Sequence, residues 1–182
     1  MPKAINTVKD KSQLQSLLSK ISKGKNLLSQ WITLDPIYVG GITKANYLES
    51  IHKQLIESTQ KISVNGHWCE FGVREGRSLK WLIEEYPQQV IHAFDSWQGL
   101  PEEWDNGTGK VADMSCDPPV VPEHIKLHKG WFKDTLPKWK QNNKGPIAFL
   151  HMDADIYSST KEVLTALNDQ IVAGTVITFD EF

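Results

Sequence analysis

At 182 residues, 40% of them hydrophobic, the chain is long enough to bury a core of its own and fits one domain with a small appendage. Its 20 Lys and Arg against 22 Asp and Glu leave a net charge of -2, without the basic excess that nucleic-acid or anionic-membrane binding requires. No charged and apolar leader pattern opens the sequence, and no apolar run nears the roughly 20 residues of a membrane span, so the expectation is a soluble, cytoplasmic protein with no membrane partner.

Residues 1–62 read as an N-terminal helical segment without strand signals. Two helical patterns, 13–28 and 45–61, flank a stretch broken by Asp35-Pro36 and Gly40-Gly41. Leu14, Leu17, Leu18 and Ile21 recur at helical spacing, the mark of a docked amphipathic face; a lid or dimer surface is the sharper reading. Asn65-Gly66 then turns the chain into the domain formed by residues 63–182.

The stretch that organises the rest follows. An apolar run through Trp68 and Cys69 ends at the acid Glu70. Gly72 and Gly76 come next, and Ser78 stands where it can cap a helix whose apolar residues are Leu79, Leu82 and Ile83. A glycine turn between strand and helix lets backbone N–H groups approach a ligand, and the helix start directs its unpaired N–H groups at anything anionic. The turn is not the dinucleotide fingerprint, because Gly72 and Gly76 leave G-x-G-x-x-G incomplete.

Tyr86-Pro87 stops that helix, and residues 90–95 read as a second strand ending in Asp95. This acid lies about 20 residues past the first glycine, the spacing at which Rossmann-like folds set a carboxylate against ribose hydroxyls; a turn cap is the plainer alternative. Residues 97–122 lack periodicity, as functional or mobile segments do. Within them Asn106-Gly107-Thr108 matches a glycosylation sequon, discounted without a secretory signal. Cys69 and Cys116 have neither metal-type nor disulfide-framework spacing and read as free thiols. Trp97, Trp104 and Tyr38 are candidates to stack on a ligand face, against the commoner role of packing a loop down.

A third strand spans 125–128, followed by Lys129-Gly130-Trp131-Phe132 and a helical piece through Leu136, Trp139 and Lys140. After Gly145-Pro146 the continuous apolar run 147–152 has the pattern of a strand buried on both faces, ending in Asp153-Ala154-Asp155. Ser158 or Ser159 caps a helix carrying Val163, Leu164 and Leu167; Ala173-Gly174 ends it before a fifth strand, 175–179, runs into Asp180-Glu181. Strands alternating with helices imply a parallel sheet with helices on both faces and ligands at the carboxyl ends of its strands. Glu70, Asp95, Asp153, Asp155, Asp180 and Glu181 all fall at that rim. Clustered acids are costly without a positive partner, and oxygen-only ligation suits Mg2+. His67, His92 and His151 read as core histidines.

Five ordered motifs carry a resemblance. Glu70-Phe71-Gly72-Val73-Arg74-Glu75-Gly76-Arg77-Ser78, Phe94-Asp95-Ser96-Trp97-Gln98-Gly99-Leu100-Pro101, Lys129-Gly130-Trp131-Phe132, Met152-Asp153-Ala154-Asp155-Ile156-Tyr157-Ser158-Ser159-Thr160 and Phe179-Asp180-Glu181-Phe182 together resemble the macrocin-type O-methyltransferases. These are class I S-adenosylmethionine-dependent enzymes that include metal-dependent methylators of macrolide sugars. The resemblance covers about residues 66–182. It implies a Rossmann-like, doubly wound, mainly parallel α/β sheet.

The resemblance also implies roles. The stretch with Glu70, Gly72, Val73, Gly76, Arg77 and Ser78 is similar to the family's cofactor loop for the methionine end of S-adenosylmethionine. Asp95, with Ser96, matches the ribose-binding position, and Gly130 with Trp131 falls where adenine is expected. Asp153, also counted among the cofactor contacts, matches with Asp180 and Glu181 the positions that hold a divalent ion, and Asp153 is the candidate proton acceptor. Asp155 and Tyr157 of the same motif are expected to act as structural supports. The implied acceptor is a sugar-like hydroxylated small molecule. The last helix and strands six and seven usual in class I methyltransferases have no counterpart before Phe182, which suggests a fragment of a longer reading frame or an edge strand covered in a homo-oligomer. A nicotinamide-dependent oxidoreductase and a non-catalytic cofactor-binding or assembly protein are the alternatives.

Overall fold

The computed structural model describes residues 44–103, 111 and 114–180. The expected helix over 13–28, the aromatics Tyr38 and Trp104, and Glu181 lie outside the described residues. In chain order the elements are α1 (Lys44–Thr59), β1 (His67–Phe71), α2 (Arg77–Glu85), β2 (Ile91–Asp95), β3 (Ile125–Lys129), α3 (Phe132–Asn142), β4 (Ile147–Met152), α4 (Tyr157–Leu167) and β5 (Ile171–Phe179).

The five strands form one sheet in the order β3-β2-β1-β4-β5, every pairing parallel. The chain therefore winds from β1 outward to β3, then returns to the other side of β1 for β4 and β5. This reversal sets the topological switch point between β1 and β4, where open α/β sheets bind their ligands.

Alternation along the strands divides the core in two. Cys69, Phe71, Phe94, Leu150 and Met152 pack with Leu136 and Trp139 of α3 and with Val163, Leu164 and Leu167 of α4. Trp68, Ala93 and Phe149 pack instead with Leu79 and Leu82 of α2 and with Leu55 of α1. Helices thus cover both faces, as the uninterrupted burial of β4 requires.

Two local expectations are corrected. The helix α4 ends at Leu167, not at Ala173-Gly174, and β5 begins at Ile171. Gly174 lies inside this strand at a φ of 96°. There the pairing slips: Ile147 and Phe149 of β4 face Ile171 and Val176, so β5 carries a bulge, tied by the Val172 N–H donating to Thr175 Oγ1 at 3.0 Å. None of Ser78, Ser158 and Ser159 caps its helix: α2 starts after Gly76 and α4 after Ile156, both without a side-chain cap. No helix among the described residues is long and apolar enough to cross a membrane.

Candidate active site

The strand exits are laced together by single backbone hydrogen bonds. Gly72 N–H donates to Phe94 O, Gly130 N–H to Asp95 O, Asp153 N–H to Phe71 O and Asp180 N–H to Met152 O, all at 2.8–3.0 Å. The carboxyl ends of all five strands are thereby held side by side, around a cavity of about 930 Å³. Gly72, Val73, Arg77 and Ser78 line it from the β1 exit, Asp95 and Ser96 from β2, and Gly130 and Trp131 from β3. His151, Asp153, Asp155 and Asp180 line it from β4 and β5. The residues chosen from sequence are thus brought to one hollow, apart from three. Glu70 is fully buried and does not reach the wall, Gly76 stands behind Pro119, and Glu181 lies outside the described residues.

The glycine turn works differently from its sequence reading. The N–H groups of Val73 and Arg74 both donate to Asp95 Oδ2 at 2.8 Å, and that of Gly76 donates to Val73 O at 2.8 Å. With the Gly72 N–H also engaged, the turn itself offers little to a ligand. The donors that remain are those of the first turn of α2, at Arg77, Ser78 and Leu79, which a helix start leaves without helical partners. Gly72 is required for another reason. It sits at a φ of 84°, and a Cβ there would lie 1.6 Å from Asp153 O, so β1 and β4 cross too closely for any side chain.

Asp95 has the plainer role that the sequence left open. Besides the two turn amides, its Oδ1 accepts the Trp97 N–H at 2.7 Å, so this one carboxylate joins the loops after β1 and β2. Oδ2 thereby accepts two bonds and Oδ1 one, so Oδ1 is the oxygen that retains acceptor capacity. Trp97, a candidate for stacking on substrate, is instead buried in the core, with Nε1 donating to Arg74 O at 2.9 Å. Arg74, Trp97 and Asp155 hold positive φ angles of 51°, 54° and 58° without being glycine. Backbone strain of this kind persists only where the surroundings over-determine it, and it clusters at functional sites. Tyr157, expected to be a support, is half exposed at the start of α4, with Lys161 Nζ 6.0 Å from its ring centre.

Of the acids expected at the rim, Asp153, Asp155 and Asp180 meet at the ends of β4 and β5, with His151 beside them. His151, Asp153 and Asp180 each present a ligand atom, all within 4.8 Å of one another. Asp153 has its pKa raised to about 7, chiefly by burial, then by the Asp180, Glu70 and Asp155 charges, while His151 opposes the rise. Burial alone lowers the pKa of His151, but Glu70, Asp153 and Asp180 outweigh it and leave the ring raised. Mutual repulsion among these acids, which adds to the rise at Asp153, fits a divalent ion among them. The sequence reads His151 as a core histidine because it occupies an apolar run, and it is buried; its place two residues before Asp153 was the available signal of a further role.

Beneath the cavity, Ser78 donates to Glu70 Oε1 in place of capping α2. The helix start is thus fixed to the floor of β1.

Sheet order, the acid-rimmed switch point and helices on both faces define the Rossmann-like fold of class I methyltransferases. The chain belongs to the methyltransferase-domain family, whose model matches residues 69–182. Demethyldecarbamoylnovobiocin O-methyltransferase of Streptomyces niveus is 25% identical over 159 residues, 74% of this chain and 59% of that protein. Mycinamicin III 3''-O-methyltransferase of Micromonospora griseorubida is 23% identical over 207 residues, 87% of this chain and 80% of that protein. The chain therefore spans under two thirds of the first relative's length and four fifths of the second's. Among solved structures, the apo form of CalS11, a TDP-rhamnose 3'-O-methyltransferase of calicheamicin biosynthesis, matches with a TM-score of 0.54 at 22% identity. The match covers 92% of this chain and 76% of that one, and it concerns the fold. Family membership sets the nicotinamide reading aside.

Proposed function

We propose that the chain is an S-adenosylmethionine-dependent O-methyltransferase that methylates a hydroxyl of a sugar or related small molecule with the help of a divalent ion. The observation that carries this reading is one cavity at the switch point, with a helix start and Asp95 at one end and the His151, Asp153 and Asp180 group at the other. The names of the relatives support the acceptor class, and the donor chemistry supports the ion.

When bound, S-adenosylmethionine supplies a methyl group on a sulfonium and the divalent ion supplies Lewis acidity toward the acceptor oxygen. The first turn of α2, with the N–H groups of Arg77 and Ser78, suits the carboxylate of the methionine end. Asp95, with Ser96 beside it, suits ribose hydroxyls, and Gly130 with Trp131 suits the adenine. Asp153 and Asp180, with Glu181, are the residues for the ion; Asp153, which would sit between ion and acceptor, takes the hydroxyl proton on its carboxylate. The acceptor oxygen, relieved of its proton by Asp153, would take up the methyl group, and the electron pair of the carbon–sulfur bond would remain on sulfur, which balances the transfer. Holding both reactants in line is where most of the rate advantage of such a site arises. Ile51 of α1 also lines the cavity, which supports a lid role for residues 1–62.

Calorimetric titration with S-adenosylmethionine, with and without Mg2+, tests the reading. Binding that is lost in Asp95→Ala, but survives in Asp153→Ala while Mg2+ binding does not, supports the division of roles. Failure of the wild-type chain to bind the cofactor overturns it.

A further inference from the structure

Two independent observations at the end of β4 bear on which ion the site takes. The first is the spacing of His151, Asp153 and Asp180, whose ligand atoms lie within 4.8 Å of one another. One cation can bridge such a set at the roughly 2.0–2.4 Å of metal–nitrogen and metal–oxygen bonds. The second is an unsatisfied pair below it. His151 is 3% exposed, and its Nδ1 has no hydrogen bond of good geometry; it faces Glu70 Oε1 at 3.4 Å, and Glu70 Oε2 is also buried without a partner.

A buried imidazole needs a partner at each nitrogen. Glu70 accounts for Nδ1. The other nitrogen, Nε2, belongs to a ring that lines the cavity. A metal-bound histidine ordinarily donates its second N–H to a carboxylate, which fixes the tautomer and turns the ring toward the ion. Glu70 is built for that task. Glu70 and His151 are register partners across β1 and β4, so their side chains leave the sheet on one face. Ser78 donates to Glu70 Oε1 from α2 and holds the carboxylate still.

We propose that His151 is a nitrogen ligand of the divalent-ion site, bound through Nε2 with Nδ1–H directed at Glu70, and that this nitrogen shifts the site's preference from Mg2+ toward first-row transition ions such as Fe2+, Co2+ or Zn2+. The inference rests on the metal-assisted reading above. Carboxylates alone favour Mg2+, whereas one imidazole among them favours borderline ions, in the general order that runs upward from Mn2+ through Co2+.

The test uses Mn2+ as a paramagnetic probe of the full chain. The expected result is imidazole 14N modulation in the electron spin echo of bound Mn2+, lost in His151→Gln together with an affinity at least about tenfold weaker. His92→Gln, away from the cavity, is expected to keep the signal. Co2+ is expected to displace the Mn2+ at concentrations well below those needed with Mg2+. Bound Mn2+ without 14N modulation in the wild type overturns the inference and leaves an oxygen-only metal site standing. No Mn2+ binding at all overturns the metal reading with it. Should His151→Gln fail to fold, the wild-type spectrum alone decides.

Discussion

Glu70 and His151 face each other across neighbouring parallel strands, Oε1 to Nδ1 at 3.4 Å, both side chains closed to solvent. Ser78 completes the group by donating to the same carboxylate oxygen. A buried carboxylate held this way couples the start of α2 to the end of β4. Ser78→Ala is expected to cost about 1.5–3 kcal/mol, the range for a hydrogen bond to a charged group. Glu70→Gln, which keeps the shape, is expected to cost about 2–4 kcal/mol, since it strips both partners of a charged acceptor. Urea denaturation of the two single variants and the double variant should give a coupling energy of about 0.5–3 kcal/mol. Strict additivity would show that the two side chains do not act together.

The close crossing at Gly72 gives a second expectation. Gly72→Ala must hold a φ of 84° and place a methyl 1.6 Å from Asp153 O, so the β1 and β4 exits have to part. A loss of at least about 3 kcal/mol is expected. Gly145→Ala is the control. That residue also has a positive φ, 101°, but a Cβ there meets nothing within 4 Å, so only the conformational cost of about 1 kcal/mol applies. Equal losses in the two variants, measured by urea midpoints at constant slope, would remove the steric argument.

The sheet was legible because short apolar runs ending in acids alternate with helical spacing, and that pattern survives tertiary context. What failed to show were partners distant in sequence. Ser78 reads as a cap by local preference, yet a buried acid eight residues upstream takes its hydroxyl. Gly174 reads as a helix stop, yet Thr175 bonds Ile147 O and the strand bulges around the glycine. His151 sits in a run that alternation could not sort, since β4 is buried on both faces and neither parity is polar. The strand-end acids, by contrast, needed only topology to bring them together.

Acid should weaken the fold through the histidines under α3. His92 Nδ1 and His128 Nε2 lie 3.1 Å apart, close enough to share one proton between them. The pKa of His92 is lowered to about 4, first by burial and then by the positive charges of His128, His67 and Lys126; that of His128 is also lowered by burial. A folded-state pKa below the unfolded one means stability that is complete above about pH 6.5 and is lost as pH falls through about 4. The expected loss from His92 is about 1–3 kcal/mol across that window. His92→Gln should flatten the dependence of the urea midpoint on pH between 6.5 and 4. An unchanged slope in that variant would assign the acid sensitivity to other groups.

Trp97 joins the loop after β2 to the loop that follows β1. Its Nε1 donates to Arg74 O at 2.9 Å, its own N–H goes to Asp95 Oδ1, and Asp95 in turn holds the amides of Val73 and Arg74. The indole thus anchors the turn through its carbonyl while Asp95 anchors it through its N–H groups. Trp97→Phe keeps most of the buried ring and removes only the Nε1 bond, leaving Arg74 O to be satisfied by water at the cavity edge. A modest stability loss of about 1–2 kcal/mol is expected. The more telling readout is cofactor affinity. If the turn must be held in its left-handed form at Arg74 before the first turn of α2 can meet a carboxylate, S-adenosylmethionine binding should weaken about three- to tenfold in the folded variant, through the conformational selection that such loosening imposes. Calorimetry on Trp97→Phe decides the matter: unchanged affinity with lowered stability would confine Trp97 to packing, and lowered affinity at unchanged secondary structure would make it a positioning residue for the cofactor.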